Sequence, residues 1–144
     1  MQEHGLKISE LVTLFNLEVL NRGSDYDTAL LTITDVNRPG LQFHSFYDYF
    51  DPRRLQVLGK AEITYLKGLT TEQRRKCFDD LFLYDIPALV ISRGLDCFPE
   101  CLESARVHER TLLRTEETTV EFTSHTIEYL NRVLAPCVTR HGVL

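Results

Sequence analysis

The sequence predicts a single, three-layer-like α/β domain with a mixed, largely parallel β-sheet and flanking helices, and three observations carry that reading. The chain has 144 residues, 43% hydrophobic and 26% charged, enough for one core and too apolar for a disordered segment. Pro87-Ala88-Leu89-Val90-Ile91 is a continuous apolar run of strand length, as expected of a strand covered on both faces. A helical pattern opening at Pro99 follows, and then the strand-like Thr111-Leu112-Leu113-Arg114, a β-α-β unit that implies parallel pairing through a right-handed crossover.

The remaining elements follow in order. Ile8, Leu11, Val12, Leu14 and Phe15 recur at helical spacing, and Asn16 suits the end of that helix. Leu17 to Leu20 and Ala29 to Ile33 read as strands, with turn formers at Asn21-Arg22-Gly23-Ser24-Asp25 between them. Asp35-Val36-Asn37-Arg38-Pro39-Gly40 reads as a loop, because Pro39 restricts Arg38 and Gly40 permits positive φ. The aromatics Phe43, Phe46, Tyr47, Tyr49 and Phe50 crowd into eight residues and demand either burial or a ligand to stack on.

Leu55 to Leu58 is strand-like, and after Gly59 a short helix runs from Lys60 to Leu66. Thr70-Thr71-Glu72-Gln73 matches a capping box that opens a further helix, on which Cys77, Phe78, Leu81 and Phe82 share the inner face. Its run Arg74-Arg75-Lys76 reads as a solvated face. Thr118-Thr119-Val120-Glu121 is a second capping box, beginning a helix with Val120, Ile127, Leu130, Val133 and Leu134 along one stripe until Pro136 stops it. His125 falls at the edge of that stripe, and the segment from Cys137 to Leu144, with His141, reads as the start of a strand.

Composition narrows the function classes. A net charge of -5, from 21 acidic against 16 basic residues, gives no long-range attraction to nucleic acid or to anionic membranes. The opening Met1-Gln2-Glu3-His4-Gly5 lacks the basic and apolar regions of a signal peptide, and no long apolar run occurs, so a cytoplasmic protein is expected. The four cysteines are expected as free thiols, since a domain of this size and apolar content needs no disulfides. No metal site is expected, because Cys97 and Cys101 lack both C-x-x-C spacing and a second pair. The seven glycines are isolated, so no phosphate-binding loop can be drawn, and no cofactor is expected in this chain.

Several stretches in the same order resemble the HPr kinase/phosphorylase family. They are Thr34-Asp35-Val36-Asn37-Arg38-Pro39-Gly40-Leu41, Tyr47-Asp48-Tyr49-Phe50, the segment Arg54 to Glu62, Ile91-Ser92-Arg93-Gly94-Leu95, and Leu134-Ala135-Pro136 leading to His141-Gly142-Val143-Leu144. The resemblance implies the N-terminal domain over residues 1–134, and over 135–144 a linker and the first strand of a C-terminal kinase domain. It implies a bifunctional enzyme that phosphorylates a serine of the phosphocarrier HPr with ATP or pyrophosphate, with Mg, and removes it again, in carbon catabolite repression. It also implies homo-oligomers (hexamers in the full-length family) and a fold similar to the N-terminal domain of muramyl peptide ligases. His141 is the one residue that matches the family's active site, and family members often carry glycine or asparagine at the position of Glu109.

Two functions follow. The first is a non-catalytic accessory or regulatory domain whose partners are its own kinase domain and, through the full-length enzyme, HPr. The second is a sensor for a sugar phosphate or nucleotide sugar, held by Asn37, Arg38, Gly40 and Arg54 beside the aromatics. A protein-interaction domain that uses the aromatic loop is the remaining alternative.

Overall fold

The computed structural model describes residues 4–135. Its centre is a five-stranded sheet in the order β2-β7-β6-β5-β4, formed by β2 (Glu18–Asn21), β4 (Val36–Asn37), β5 (Leu55–Leu58), β6 (Leu89–Ile91) and β7 (Leu112–Arg114). All neighbours are parallel except β2, which runs antiparallel to β7 with a bulge between Val19 and Asn21. Parallel neighbours need crossovers, and these are supplied by α2 (Gly40–Phe43), α3 (Lys60–Lys67), α4 (Thr71–Phe82) and α5 (Pro99–His108). Two further helices, α1 (Ile8–Phe15) and α6 (Thr119–Val133), complete the domain.

Alternation along the strands divides the core into two layers. Leu58, Leu89, Ile91 and Leu112 meet Ile63, Leu66, Phe78, Leu81, Phe82 and Ala105 on the side of α2 to α5. Leu55, Val57, Ala88, Val90 and Leu113 meet Ile8, Leu11, Phe122 and Leu130 on the side of α1 and α6. This is the three-layer α/β arrangement anticipated, with β6 sealed on both faces.

Helix ends follow local chemistry. Thr70 and Thr118 accept from the backbone N–H of Gln73 and Glu121, and the side chains of Gln73 and Glu121 accept from the cap N–H groups in return. Asn16 ends α1 in the left-handed region at φ 54. Glu109 ends α5 the same way at φ 58, although glutamate gains nothing from that conformation.

Several expectations are corrected. Ala29 to Ile33 yields only the short β3 (Leu30–Leu31), which pairs with β1 (Leu6–Lys7) as a separate antiparallel ribbon rather than joining the main sheet. The loop at Asp35 to Gly40 contains the edge strand β4, and Gly40 opens α2. On α6 the inner face is Thr119, Phe122, Thr126 and Leu130, whereas Val120 is exposed. The aromatic run is split: Phe43 is buried, Tyr47 and Phe50 pack with Tyr84, and Tyr49 is 98% exposed at φ 64.

Of the basic run, Arg74 turns inward while Lys76 stays exposed. Arg74 is nearly buried, donates to Glu100 at 2.7 Å and lies over the Phe98 ring, so it ties α4 to α5 rather than facing solvent. Arg75 and Lys76 pair with Asp79 and Asp80 one turn on. Asp79 also accepts from Ser104 and contacts His108. Burial alone would raise the Asp79 carboxyl, but Ser104, Arg75 and His108 together hold it below its ordinary value.

A non-glycine residue in the left-handed region costs about 1 kcal/mol. Replacing Glu109 by Gly is therefore expected to raise unfolding stability by about 1 kcal/mol in urea titration, and Asn to raise it less.

Candidate ligand crevice at the carboxyl edge

Because β4 to β7 run in parallel, their carboxyl ends share one edge of the sheet, where ligands of open α/β folds bind. Arg38 leaves β4 there, Gly59 leaves β5, Ser92 leaves β6, and Thr119 opens α6 after β7. The helices that start at this edge lie on opposite faces, α3 on one and α6 on the other, and their N-termini converge beside Gly59.

The junction is closely fitted. A Cβ on Gly59 would lie 2.6 Å from Thr119 Oγ1 and 2.7 Å from Arg38 Nη2, so only glycine fits there without displacement. The Gly59 N–H donates to Glu62 Oε1 at 2.7 Å, and Arg38 donates to the same oxygen from Nε at 3.0 Å and Nη2 at 2.8 Å. Glu62 is 8% exposed, and this charged partner offsets the cost of burying its carboxylate. Ser92 Oγ donates its one hydrogen to Leu58 O at 2.8 Å, so in the 2.6 Å contact between the hydroxyls it is Thr119 that donates to Ser92.

Around this junction lies a recess of about 410 Å³ lined by Arg38, Gly40, Leu41, His44, Ala61, Glu62 and Tyr65. The His44 and Tyr65 rings lie 4.3 Å apart between centroids, their planes tilted by 33°. A second recess, lined by Arg38, Thr119, Val120, Thr123 and Ser124, lies on the α6 side of the same arginine. Arg38 is the cation shared by both, with side-chain exposure of 41%.

The four residues anticipated as ligand-binding are placed differently. Arg38 and Gly40 line the recess. The Asn37 amide nitrogen donates to Gln42 Oε1 and Gln56 Oε1, a buried polar cluster that pins the edge strand β4. Arg54 precedes β5 at its amino end, away from the carboxyl edge, where its guanidinium faces Asp35 at 3.4 Å. His141 and all but the first residue of the segment anticipated over 135–144 lie outside the described residues. His125 is exposed and faces Glu117, as expected of an edge position. Glu62, Ser92 and Thr119 were not singled out, since only folding brings them to Arg38 and Gly59. Among the described residues, Cys77, Cys97 and Cys101 are free thiols, no group of three or more His, Cys, Asp or Glu could hold a metal ion, and no helix is long and apolar enough to cross a membrane.

The fit at Gly59 is testable. Gly59→Ala is expected to lower stability by about 1–3 kcal/mol, the usual cost of overpacking. Gly68→Ala, whose Cβ would meet nothing nearer than Tyr65 O at 3.5 Å, is expected to stay within about 0.5 kcal/mol of the parent by the same denaturant measurement.

Comparison with known proteins places this architecture. A family model described as HPr Serine kinase N terminus matches residues 6–130. The HPr kinase/phosphorylase of Alkaliphilus metalliredigens is 41% identical over 139 residues, which is 96% of this chain and 45% of that protein. That of Clostridium perfringens strain SM101 is 40% identical over 140 residues, or 97% of this chain and 45% of the relative. The chain thus spans about half the length of the curated relatives it matches. In structure it is similar to the CBS and DRTGG domains of the regulatory region of Clostridium perfringens pyrophosphatase, solved with the activator diadenosine tetraphosphate. That likeness has a TM-score of 0.57 at 14% identity over 90% of this chain and 54% of the other, and it is one of fold. The α/β architecture and the match over residues 6–130 agree, and the chain belongs to the HPr serine kinase N-terminal domain family.

Proposed function

We propose that this chain is the non-catalytic accessory domain of a cytoplasmic HPr kinase/phosphorylase, the enzyme that phosphorylates and dephosphorylates a serine of HPr in carbon catabolite repression. The observation that carries this reading is that the match is to the family's N terminus, while the relatives named for the activity are about twice as long. Phosphoryl transfer needs converging backbone amides and a cation at the terminal phosphates, and the isolated glycines of this sequence form no such loop. In this reading ATP, Mg and the HPr contact belong to the C-terminal kinase domain, His141 counts among the residues of that active site, and the full-length enzyme assembles as a homo-oligomer.

A second reading is favoured by the crevice itself. Arg38 beside the His44–Tyr65 ring pair offers a cation for a phosphate and a flat surface for a ring, as a sugar phosphate or nucleotide sugar requires. The pyrophosphatase regulatory region of similar fold, solved with a nucleotide activator, supports a role of this kind.

The accessory reading predicts that the isolated chain transfers no phosphate to HPr from ATP or pyrophosphate, whereas the full-length enzyme lacking residues 1–134 still does so. Phosphoserine on HPr after incubation with the chain alone would overturn it. The sensing reading predicts that a sugar phosphate or nucleotide sugar raises the melting temperature of the chain, with about 2.7 kcal/mol of added stability at a hundredfold excess over Kd, and that Arg38→Ala abolishes the rise. A flat screen removes the second reading and leaves the first intact.

A further inference from the structure

Helices α1 and α6 enclose a groove of about 540 Å³ on the face of the sheet opposite α2 to α5. Its walls are Ser9, Glu10, Thr13 and Leu14 of α1 with Tyr129 and Val133 of α6. Leu14 is 47% exposed, and Tyr129 and Val133 are half-buried, so apolar surface stays open between the two helices. The groove is separate from the carboxyl-edge crevice, which takes Thr119, Val120, Thr123 and Ser124 from the other end of α6.

The end of α6 delivers the chain to this groove. Phe15 meets Phe122 and Tyr129 edge to face, and His4 Nε2 donates to Leu134 O at 3.2 Å. The two helices therefore run antiparallel, and α6 ends beside the start of α1. Pro136 cannot continue a helix and disfavours helical geometry at Ala135, so the chain must change direction there. A chain turned back at that point meets the groove at its Gly5 end.

We propose that the groove between α1 and α6 is the docking site of the chain's own segment from Pro136 to Arg140. Apolar character matches: Pro136, Cys137 and Val138 face Leu14, Val133 and the Tyr129 ring. Charge matches as well. No aspartate or glutamate occurs from Pro136 to Leu144, whereas Glu10 carries the only charge among the described residues of the lining and pairs with Arg140 in this arrangement. Arg132, which lies over the Tyr129 ring at the rim, is itself paired with Glu128 at 3.7 Å. Length is sufficient, because five extended residues from Ala135 to Arg140 reach about 17 Å and the α1 wall from Glu10 to Leu14 is about 6 Å long. The segment is tethered at Leu134, so it meets the groove at a high effective concentration. Docking sends the onward chain over α1.

The test is disulfide trapping in the full 144-residue chain, since Cys137 is native to the segment. Ser9→Cys places a second thiol on the α1 wall, and Asn131→Cys places one at an exposed position of α6 that does not line the groove and lies six residues from Cys137. Exposure to oxidised glutathione, followed by peptide mapping under non-reducing conditions, gives the rate at which each bond forms. A docked segment pairs Cys137 in the Ser9→Cys variant about tenfold faster than in Asn131→Cys, whereas tethering alone favours the nearer position. Adding Arg140→Glu to Ser9→Cys is expected to slow trapping about fivefold. Thr13→Cys, one turn further along the same wall, is run in parallel and the melting of every variant is measured first, so a folding defect at Ser9 leaves the comparison standing. Trapping in Asn131→Cys as fast as in the groove variants, pairing of Cys137 with Cys97 instead, or a rate untouched by Arg140→Glu would each overturn the proposal.

Discussion

The strand β6 excludes water from both of its faces, and the rest of the domain is arranged around that requirement. Ala88, Leu89, Val90, Ile91 and Ser92 are all essentially inaccessible. A strand in that position needs two hydrogen-bonding neighbours and a helical layer on each side, because any backbone group left open there would carry its full desolvation penalty. The ladders to β5 and β7 supply the first, and Phe78, Leu81 and Phe82 on one face with Ile8, Leu11 and Phe122 on the other supply the second. Each fully buried side chain of this kind contributes about 1.5–3 kcal/mol.

Function follows from the direction of those strands. Parallel pairing sends every carboxyl end to one edge, and the change of face between α3 and α6 leaves a crevice there. Gly59 allows the two helix starts to approach, Ser92 and Thr119 lock them, and Glu62 orients Arg38 over the recess. The same edge launches the segment from Ser92 to Phe98 that leads into α5.

Features set by neighbours in sequence were the legible ones. Both threonine capping boxes, the Asn16 terminus and the sealed strand at Leu89 to Ile91 depend on residues within a turn or two of one another, and each is present. Where partners come from far along the chain, reading failed. β4 is two residues held by the Asn37–Gln42–Gln56 amides, and β3 is diverted to β1, neither of which local composition announces. Arg74 looked like one of three solvated cations until α5 brought Glu100 to it. At the crevice Arg38 and Gly40 were singled out as a loop beside aromatics, whereas Glu62, Ser92 and Thr119 become neighbours only when three different strands end together. Arg54, close in sequence to the same motif, is carried to the other end of β5 by the strand itself.

The central claim is that the doubly covered sheet is the last part of the domain to open and holds the carboxyl edge in place. Native-state hydrogen exchange of the cross-strand amides of Gln56, Leu89, Ser92 and Thr115, which donate to Ala88, Thr111, Leu58 and Ile91, measures this directly. Exchange of all four only through global unfolding, with Ser92 as slow as Leu89, is the predicted result. Exchange of Ser92 or Gln56 through a local opening well below the global unfolding free energy, while the helices stay protected, would contradict it.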